Sequence, residues 1–400
     1  MNILVVSQHF FPDNFRINDI CSALVEGGHE VTVLTSLPDY ATGFVPAEYK
    51  DKQKRKDTYN GVKVIRTFSV QRRTGVLFRA LNYVSFMVSS TVKAKRLKDR
   101  FDVVISYQTS PVLMANAARA VSKKQNIPML LYCLDLWPES LKAWHVGENN
   151  LLYKLMRAYS RKIYNYADMV AVSSMPFINY HKRVNQVDEK NMVYLPQHSE
   201  DMALAPKPRG EFTRFAFGGN IGSVQNIECI IRAVNRIKDL PDFAVDIYGD
   251  GSELENCKKL AESLGVTNKI IFHGRVDREA LWQAYQDVDA FLLTIKGRGE
   301  IGNTLPAKLQ EYMSGNRPIF AAAPSAVSAV ISEANCGVAV DDNNDEALAC
   351  EMRKFILDKE YLKGAGESGR AYFESHFTRQ TFIGDLLVYL NKIIADGRKQ

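Results

Sequence analysis

Glu300-Ile301-Gly302-Asn303-Thr304-Leu305-Pro306-Ala307-Lys308-Leu309-Gln310-Glu311-Tyr312-Met313-Ser314-Gly315-Asn316-Arg317-Pro318-Ile319-Phe320 reads as a loop, a short helix and a strand. Leu305, Leu309, Tyr312 and Met313 recur at helical spacing on one face. Pro306 suits an early helical position, where its missing N–H costs nothing, and Gly315 suits the position just past the end. Pro318 opens an apolar strand that runs to Ala323. A helix that begins this way points N–H groups and a positive dipole end at whatever precedes it, which suits a phosphate. Lys308 falls in the first turn and Glu311 one turn on. A cation and a carboxylate there suit a sugar nucleotide, the Lys for its diphosphate and the Glu for its ribose hydroxyls. The competing reading is an ordinary buried βαβ crossover.

The same alternation extends in both directions. Before it come strands at 2–7, 30–35, 62–67, 103–107, 128–133, 169–173 and 192–195, with helices at 15–26, 77–98, 112–125 and 151–166. Repeated β-α-β units without hairpin signals predict a parallel, doubly wound sheet. Lys50–Asp57 reads as a polar, irregular excursion. Pro196–Gly210, with Pro206 and Pro208, breaks the pattern, which restarts at Phe215 with strands at 213–217, 244–248, 270–272, 289–293 and 318–322. The expected domains are 1–200 and 201–379, with two C-terminal helices, 361–377 and 380–395, closing the chain.

Four hundred residues at 46% hydrophobic are enough for two cores. The start reads directly into a strand and no apolar run approaches the ~18–20 residues of a membrane span, so a cytoplasmic location is expected. The six cysteines are scattered with no Cys-x-x-Cys pair, which argues against zinc and disulfide frameworks. Residues 1–200 hold 27 Lys and Arg against 17 Asp and Glu, and the remainder 24 against 28. The basic half points to an anionic partner: a lipid surface, a lipid-diphosphate acceptor or nucleic acid. No nucleic-acid recognition module is present. In the helix at 77–98, Phe78, Leu81, Val84, Val88 and Val92 mark one face and the end is basic. Such a helix is either a core element with a solvated tail or an aromatic-basic face lying on a membrane.

Several turns follow strands where open α/β sheets bind ligands. Phe217-Gly218-Gly219-Asn220-Ile221-Gly222 lets backbone approach a phosphate, although it is neither a P-loop nor a dinucleotide fingerprint. Tyr248-Gly249-Asp250-Gly251-Ser252 is a second such turn, in which Asp250 reads as a helix cap. Phe272-His273-Gly274-Arg275-Val276 is a third. In the first half, His9-Phe10-Phe11-Pro12-Asp13-Asn14 follows the first strand and Leu134-Asp135-Leu136-Trp137-Pro138-Glu139-Ser140 follows a buried one. Asp135 and Glu139 are either active-site carboxylates or a helix cap and a solvated side chain. Asp287-Val288-Asp289 and Asp341–Asp345 spell metal-like patterns, but the first opens an apolar strand. The second lacks the glycine and distal glutamate of a calcium loop.

The Pro-Ala-Lys-Leu-Gln-Glu-Tyr-Met run, the Gly-Asp-Gly turn and Gly-Gly-His-Glu-Val-Thr-Val-Leu-Thr at 27–35 together resemble family 4 retaining glycosyltransferases of the GT-B fold. The run is most similar to the branch found in bacterial surface-polysaccharide assembly. The family's Glu-x7-Glu signature is matched at Glu311, while Asn303 replaces its first Glu. The family's Arg and Lys in the first glycine loop are replaced by Ser223 and Gln225, its His before Asp135 by Leu134, and its Pro-Asn-Gly by Pro196-Gln197-His198.

The resemblance implies two Rossmann-like domains facing a cleft, with 380–400 crossing back onto the first. It implies a retaining hexosyl or N-acetylhexosaminyl transferase of capsule, O-antigen or exopolysaccharide biosynthesis. The donor would be a nucleotide sugar, UDP-linked, without metal or other cofactor. Donor contacts implied are Gly219, Asn220, Gly222, Gly249, Arg275, Val276, Asn303, Thr304, Lys308 and Glu311, with Lys296 and Arg298 as helpers. Lys308 would also meet charge on the leaving diphosphate, beside Asp135 and Glu139 as catalytic groups. Phe11, Asn14 and Arg16 would meet the acceptor, a glycan or lipid-linked glycan at the inner membrane face. A UDP-sugar 2-epimerase of the same fold and a non-catalytic binding protein are the alternatives.

Overall fold

The computed structural model describes residues 1–398 except 41, 42, 51, 52, 74 and 298. Ile3–Val6 are fully buried, as expected of a parallel strand covered by helices on both faces. The chain divides into two compact units, Met1–Leu195 with Ile383–Gln400, and Pro196–Phe382.

The first unit holds β1 (Asn2–Val6), β2 (Glu30–Thr35), β3 (Lys56–Tyr59), β4 (Val62–Arg66), β5 (Val103–Gln108), β6 (Met129–Cys133), β7 (Met169–Val172) and β8 (Met192–Tyr194). They lie in the order β3-β4-β2-β1-β5-β6-β7-β8, parallel except for the β3–β4 pair. That pair corrects the reading of Lys50–Asp57 as wholly irregular and of the chain as free of hairpins. Asn60 and Gly61 both take positive φ, 46° and 80°, the Asn-Gly turn that joins two antiparallel strands. The C-terminal helix, Arg379–Asp396, enters the first unit from Ile383 on, where Tyr389 donates to the Tyr194 carbonyl at 3.4 Å.

The second unit holds β9 (Thr213–Gly218), β10 (Phe243–Tyr248), β11 (Ile270–Gly274), β12 (Ala290–Thr294), β13 (Ile319–Ala322) and β14 (Gly337–Val340). Its sheet, ordered β11-β10-β9-β12-β13-β14, is parallel throughout. The edge strand β14 is only four residues long and half-buried, too short to stand out by pattern.

The long helix Val76–Arg96 departs from the core alternative. Its buried residues are Asn82, Tyr83, Phe86, Ser90 and Ala94, whereas Leu81, Val84, Val88 and Val92 are 43–52% exposed. The apolar stripe faces outward because the opposite face is held by polar bonds as well as packing. Asn82 accepts from Gln8 at 2.7 Å and donates to Asp39 at 3.1 Å. Among the described residues no helix is long and apolar enough to cross a membrane.

Candidate functional site

In the second unit, the turns after β9, β10 and β11 meet around a cavity of about 340 Å³. Gly219, Asn220, Gly249, Asp250, Arg275 and Val276 line it, together with Tyr248 and Leu281. The turns are locked together through backbone: Gly219 N–H donates to the Tyr248 carbonyl at 2.8 Å and Gly249 N–H to the Gly274 carbonyl at 2.7 Å. No side chain fits between them. A Cβ at Gly249, where φ is +140°, would lie 1.8 Å from the Gly219 carbonyl oxygen. At Gly219, φ is +131° and a Cβ would lie 2.3 Å from Lys308 Cε. Gln225 braces the first loop, accepting from the Asn220 side chain at 3.0 Å and from Gly222 N–H at 3.2 Å.

Lys308 is thus pressed against the Gly219 backbone. Its Nζ is buried without a hydrogen-bond partner and lies 3.9 Å from the centroid of the Phe217 ring. Burial pulls its pKa from 10.5 down to about 7, partly offset by the nearby Glu311 carboxylate. A buried ammonium with one aromatic face, a carboxylate near enough only for a through-space interaction and no hydrogen-bond partner is an incomplete arrangement, and an anionic ligand in contact with it completes it. Glu311 Oε1 accepts from the Trp282 indole N–H at 3.0 Å. The helix carrying both residues is Ala307–Ser314; Pro306 precedes it in extended geometry instead of opening it. Gly315 ends it without a left-handed φ. There a Cβ would lie 2.6 Å from Met202 and 2.8 Å from Phe291.

In the first unit, polar groups gather at the carboxyl ends of β1, β2 and β6. Asp135 accepts from Ser140 at 2.6 Å and from the Trp137 indole at 3.0 Å, and burial raises its pKa. Asp39 is buried, accepting from the Arg72 and Asn82 N–H groups through Oδ2. Its Oδ1 has no partner, and burial raises its pKa to about 6. His9, stacked on Phe15 and met edge-on by Tyr40, is also buried with Nδ1 unpartnered. Burial, with the charge of Arg72, lowers its pKa to about 3. Phe11 stacks on Tyr59 at 4.3 Å, Asn14 is exposed, and Arg16 opens the first helix.

Residues 14–198 match the model of the glycosyl transferase 4-like domain, and residues 201–372 match that of glycosyl transferases group 1. Both halves of the chain are glycosyltransferase domains. The chain is 24% identical to the putative colanic acid biosynthesis glycosyl transferase WcaI of Escherichia coli, over 96% of this chain and 100% of that one. It is 26% identical to the probable glycosyltransferase WbjE of Pseudomonas aeruginosa, over 70% and 73%. A sucrose-phosphate synthase from Thermosynechococcus elongatus shares the fold with TM-score 0.74 at 16% identity, covering 99% of this chain and 100% of that one. HepE of Anabaena, solved in complex with UDP and glucose, does so with TM-score 0.68 at 14% identity, covering 98% and 99%. Two parallel-sheet, Rossmann-like domains with such neighbours are the GT-B fold.

Within the group 1 glycosyltransferase domain, Gly219, Asn220, Gly249, Arg275 and Val276 share one cavity, while Gly222 belongs to the braced loop beside it. Asn303 closes the short helical turn Gly299–Asn303, and Thr304 follows it, partly buried. Lys296 lies 3.9 Å from Glu228, and Arg298 is outside the described residues. Asp289 is a structural group, paired with Lys207 and capped by Arg214 N–H. In the 4-like glycosyltransferase domain, Glu139 lies inside a buried polar cluster. Its side chain is 5% exposed and paired with Lys142 at 2.9 Å, and it accepts from Tyr153 at 3.2 Å and Tyr180 at 3.5 Å. A carboxylate so enclosed holds its surroundings together. Sequence reasoning missed Tyr248 and Leu281 as lining residues, Trp282 as the partner of Glu311, and the separate burial of the His9 and Asp39 side chains. Tyr248 could have been found from its place directly before the Gly-Asp-Gly turn; the others carry no local signal.

Proposed function

We propose that this chain transfers a hexosyl or N-acetylhexosaminyl group from a UDP-linked donor to a glycan or lipid-linked acceptor, with retention, in bacterial surface-polysaccharide biosynthesis. The observation that carries this reading is the unpartnered Lys308 ammonium held against the Gly219 backbone beside a nucleotide-sized cavity. In this reading the diphosphate takes the place next to Lys308, and the base sits at Arg275 and Val276. The ribose meets the Glu311 oxygen that Trp282 leaves free. As the glycosidic bond breaks, charge grows on the diphosphate, and a cation already desolvated at that point stabilises it without reorganising. Asp135, fixed by Ser140 and Trp137, orients the acceptor hydroxyl, whose proton passes to the departing phosphate. No metal or other cofactor is required. HepE, crystallised with UDP and glucose, supports the choice of UDP, and WcaI, named for colanic acid biosynthesis, supports the polysaccharide setting. The acceptor is presented at the cytoplasmic face of the membrane.

Calorimetry with UDP, followed by a screen of radiolabelled nucleotide sugars with lipid-linked acceptors, tests the reading. UDP binding and acceptor-dependent transfer are expected. Conversion of the donor without any acceptor would make the protein an epimerase, and absence of nucleotide binding would leave it a non-catalytic binder.

A further inference from the structure

The outward apolar stripe of the helix Val76–Arg96 ends at a groove. Residues 51–100 carry 14 Lys and Arg against 3 Asp and Glu, more than accounting for the basic surplus of the first half. Five of these cations, Arg55, Lys56, Arg66, Lys93 and Arg96, line one groove of about 510 Å³, and none of its lining residues is acidic. Arg66 is fully buried as a side chain and is balanced by Asp57 at 3.0 Å, with its Nε left unpartnered. The other four have no carboxylate in the groove to answer them. Phe68, 55% exposed, stands at the rim, and Val92 belongs to both groove and stripe. Leu77, Leu81, Val84, Val88 and Val92 fall at intervals of four, three, four and four residues, which keeps them on one side of the helix. A cationic groove continuous with an exposed apolar stripe has the two chemistries of a bilayer surface in order: anionic headgroup, then acyl chain.

We propose that this groove holds the headgroup phosphate of an anionic phospholipid while the Leu77–Val92 stripe lies among the acyl chains. The first unit then docks on the membrane along one face of this helix. The inference rests on the reading above that the acceptor is presented at a membrane, and it names the lipid and the residues that meet it. A diffuse basic surface is attracted to any anionic bilayer; a groove distinguishes charges inside it from equal charges beside it.

The test uses the full chain and vesicles of phosphatidylcholine with or without phosphatidylglycerol. The groove variant combines Lys56→Gln, Lys93→Gln and Arg96→Gln. The charge-matched control combines Lys95→Gln, Lys98→Gln and Arg100→Gln, at the same helix end but outside the groove. The stripe variant combines Leu81→Ser, Val84→Ser and Val88→Ser, all at exposed positions. The groove variant is expected to bind phosphatidylglycerol vesicles roughly a hundredfold more weakly, at about fivefold for each charge lost near the surface, and the control much less so. The stripe variant should lose binding to both kinds of vesicle. Equal losses in groove variant and control would reduce the effect to diffuse charge and overturn the site. So would failure of the parent to bind either vesicle, or a parent that dimerises through the stripe without binding lipid. UDP calorimetry on every variant keeps the two readings apart: it should be unchanged throughout. Vesicle binding without UDP binding would overturn the transferase reading alone.

Discussion

Replacing Lys308 with Met is expected to stabilise the unliganded protein while removing its affinity for nucleotide. Met keeps the length and apolar stem of the side chain and discards the charge. The folded-state pKa is about 7 against 10.5 for the ordinary group. For a cation whose pKa is depressed by folding, the burial penalty is fully present below the folded value and fades as pH rises towards the unfolded one. At 1.36 kcal/mol per pH unit, the two values correspond to about 4 kcal/mol of penalty at pH 7 and about 2 at pH 9. The Phe217 ring face and local relaxation offset roughly half of each. A gain of ~2 kcal/mol at neutral pH raises the melting temperature of a domain of this size by roughly 4–8 °C. That gain should shrink as pH rises from 7 to 9. In the parent, UDP binding above pH 7 should take up about one proton as the ammonium finds its anion, and affinity should fall as pH increases. In the variant that proton uptake disappears. Thermal unfolding at several pH values, and calorimetry in buffers of different ionisation enthalpy, measure all of this. A variant no more stable than the parent, or one that binds UDP equally well, refutes the reasoning.

Glu311→Gln should weaken UDP by about tenfold, because Trp282 already occupies one carboxylate oxygen and only one charge-assisted bond remains to be lost. A 2′,3′-dideoxy nucleotide should bind parent and variant alike, and calorimetry with both nucleotides checks it. Gly219→Ala places a methyl 2.3 Å from Lys308 Cε at a left-handed φ; nucleotide binding should be lost with circular dichroism unchanged. Glu139→Gln removes the charge that Lys142 answers inside a buried cluster. It should cost roughly 1–3 kcal/mol by denaturant titration, with transfer per folded molecule intact. A loss of turnover without a loss of stability would return Glu139 to the catalytic candidates.

The sequence alone determined the two doubly wound sheets, since parallel strands buried on both faces leave continuous apolar runs such as Ile3–Val6 and Phe215–Phe217 that alternate with helical periods. It also marked the glycine turns after β9 and β10 and the Lys308–Glu311 helix, because phosphate-sized backbone turns need residue types that stand out in a chain. It carried the Asn60-Gly61 hairpin too, in the residues themselves, though the surrounding alternation hid it. Tertiary structure decided what depends on which faces meet. Glu139 and Asp135 lie four residues apart with similar local chemistry, yet only the packing of Tyr153, Tyr180 and Lys142 makes the first a buried strut. Trp282 reaches Glu311 across 29 residues of chain, and Tyr40 comes against His9 because β1 and β2 are neighbours in the sheet. The helix Val76–Arg96 shows the limit most plainly. Periodicity finds an apolar stripe but not the direction it faces, and here the fold buries Asn82 and Ser90 and turns Leu81, Val84 and Val88 outward.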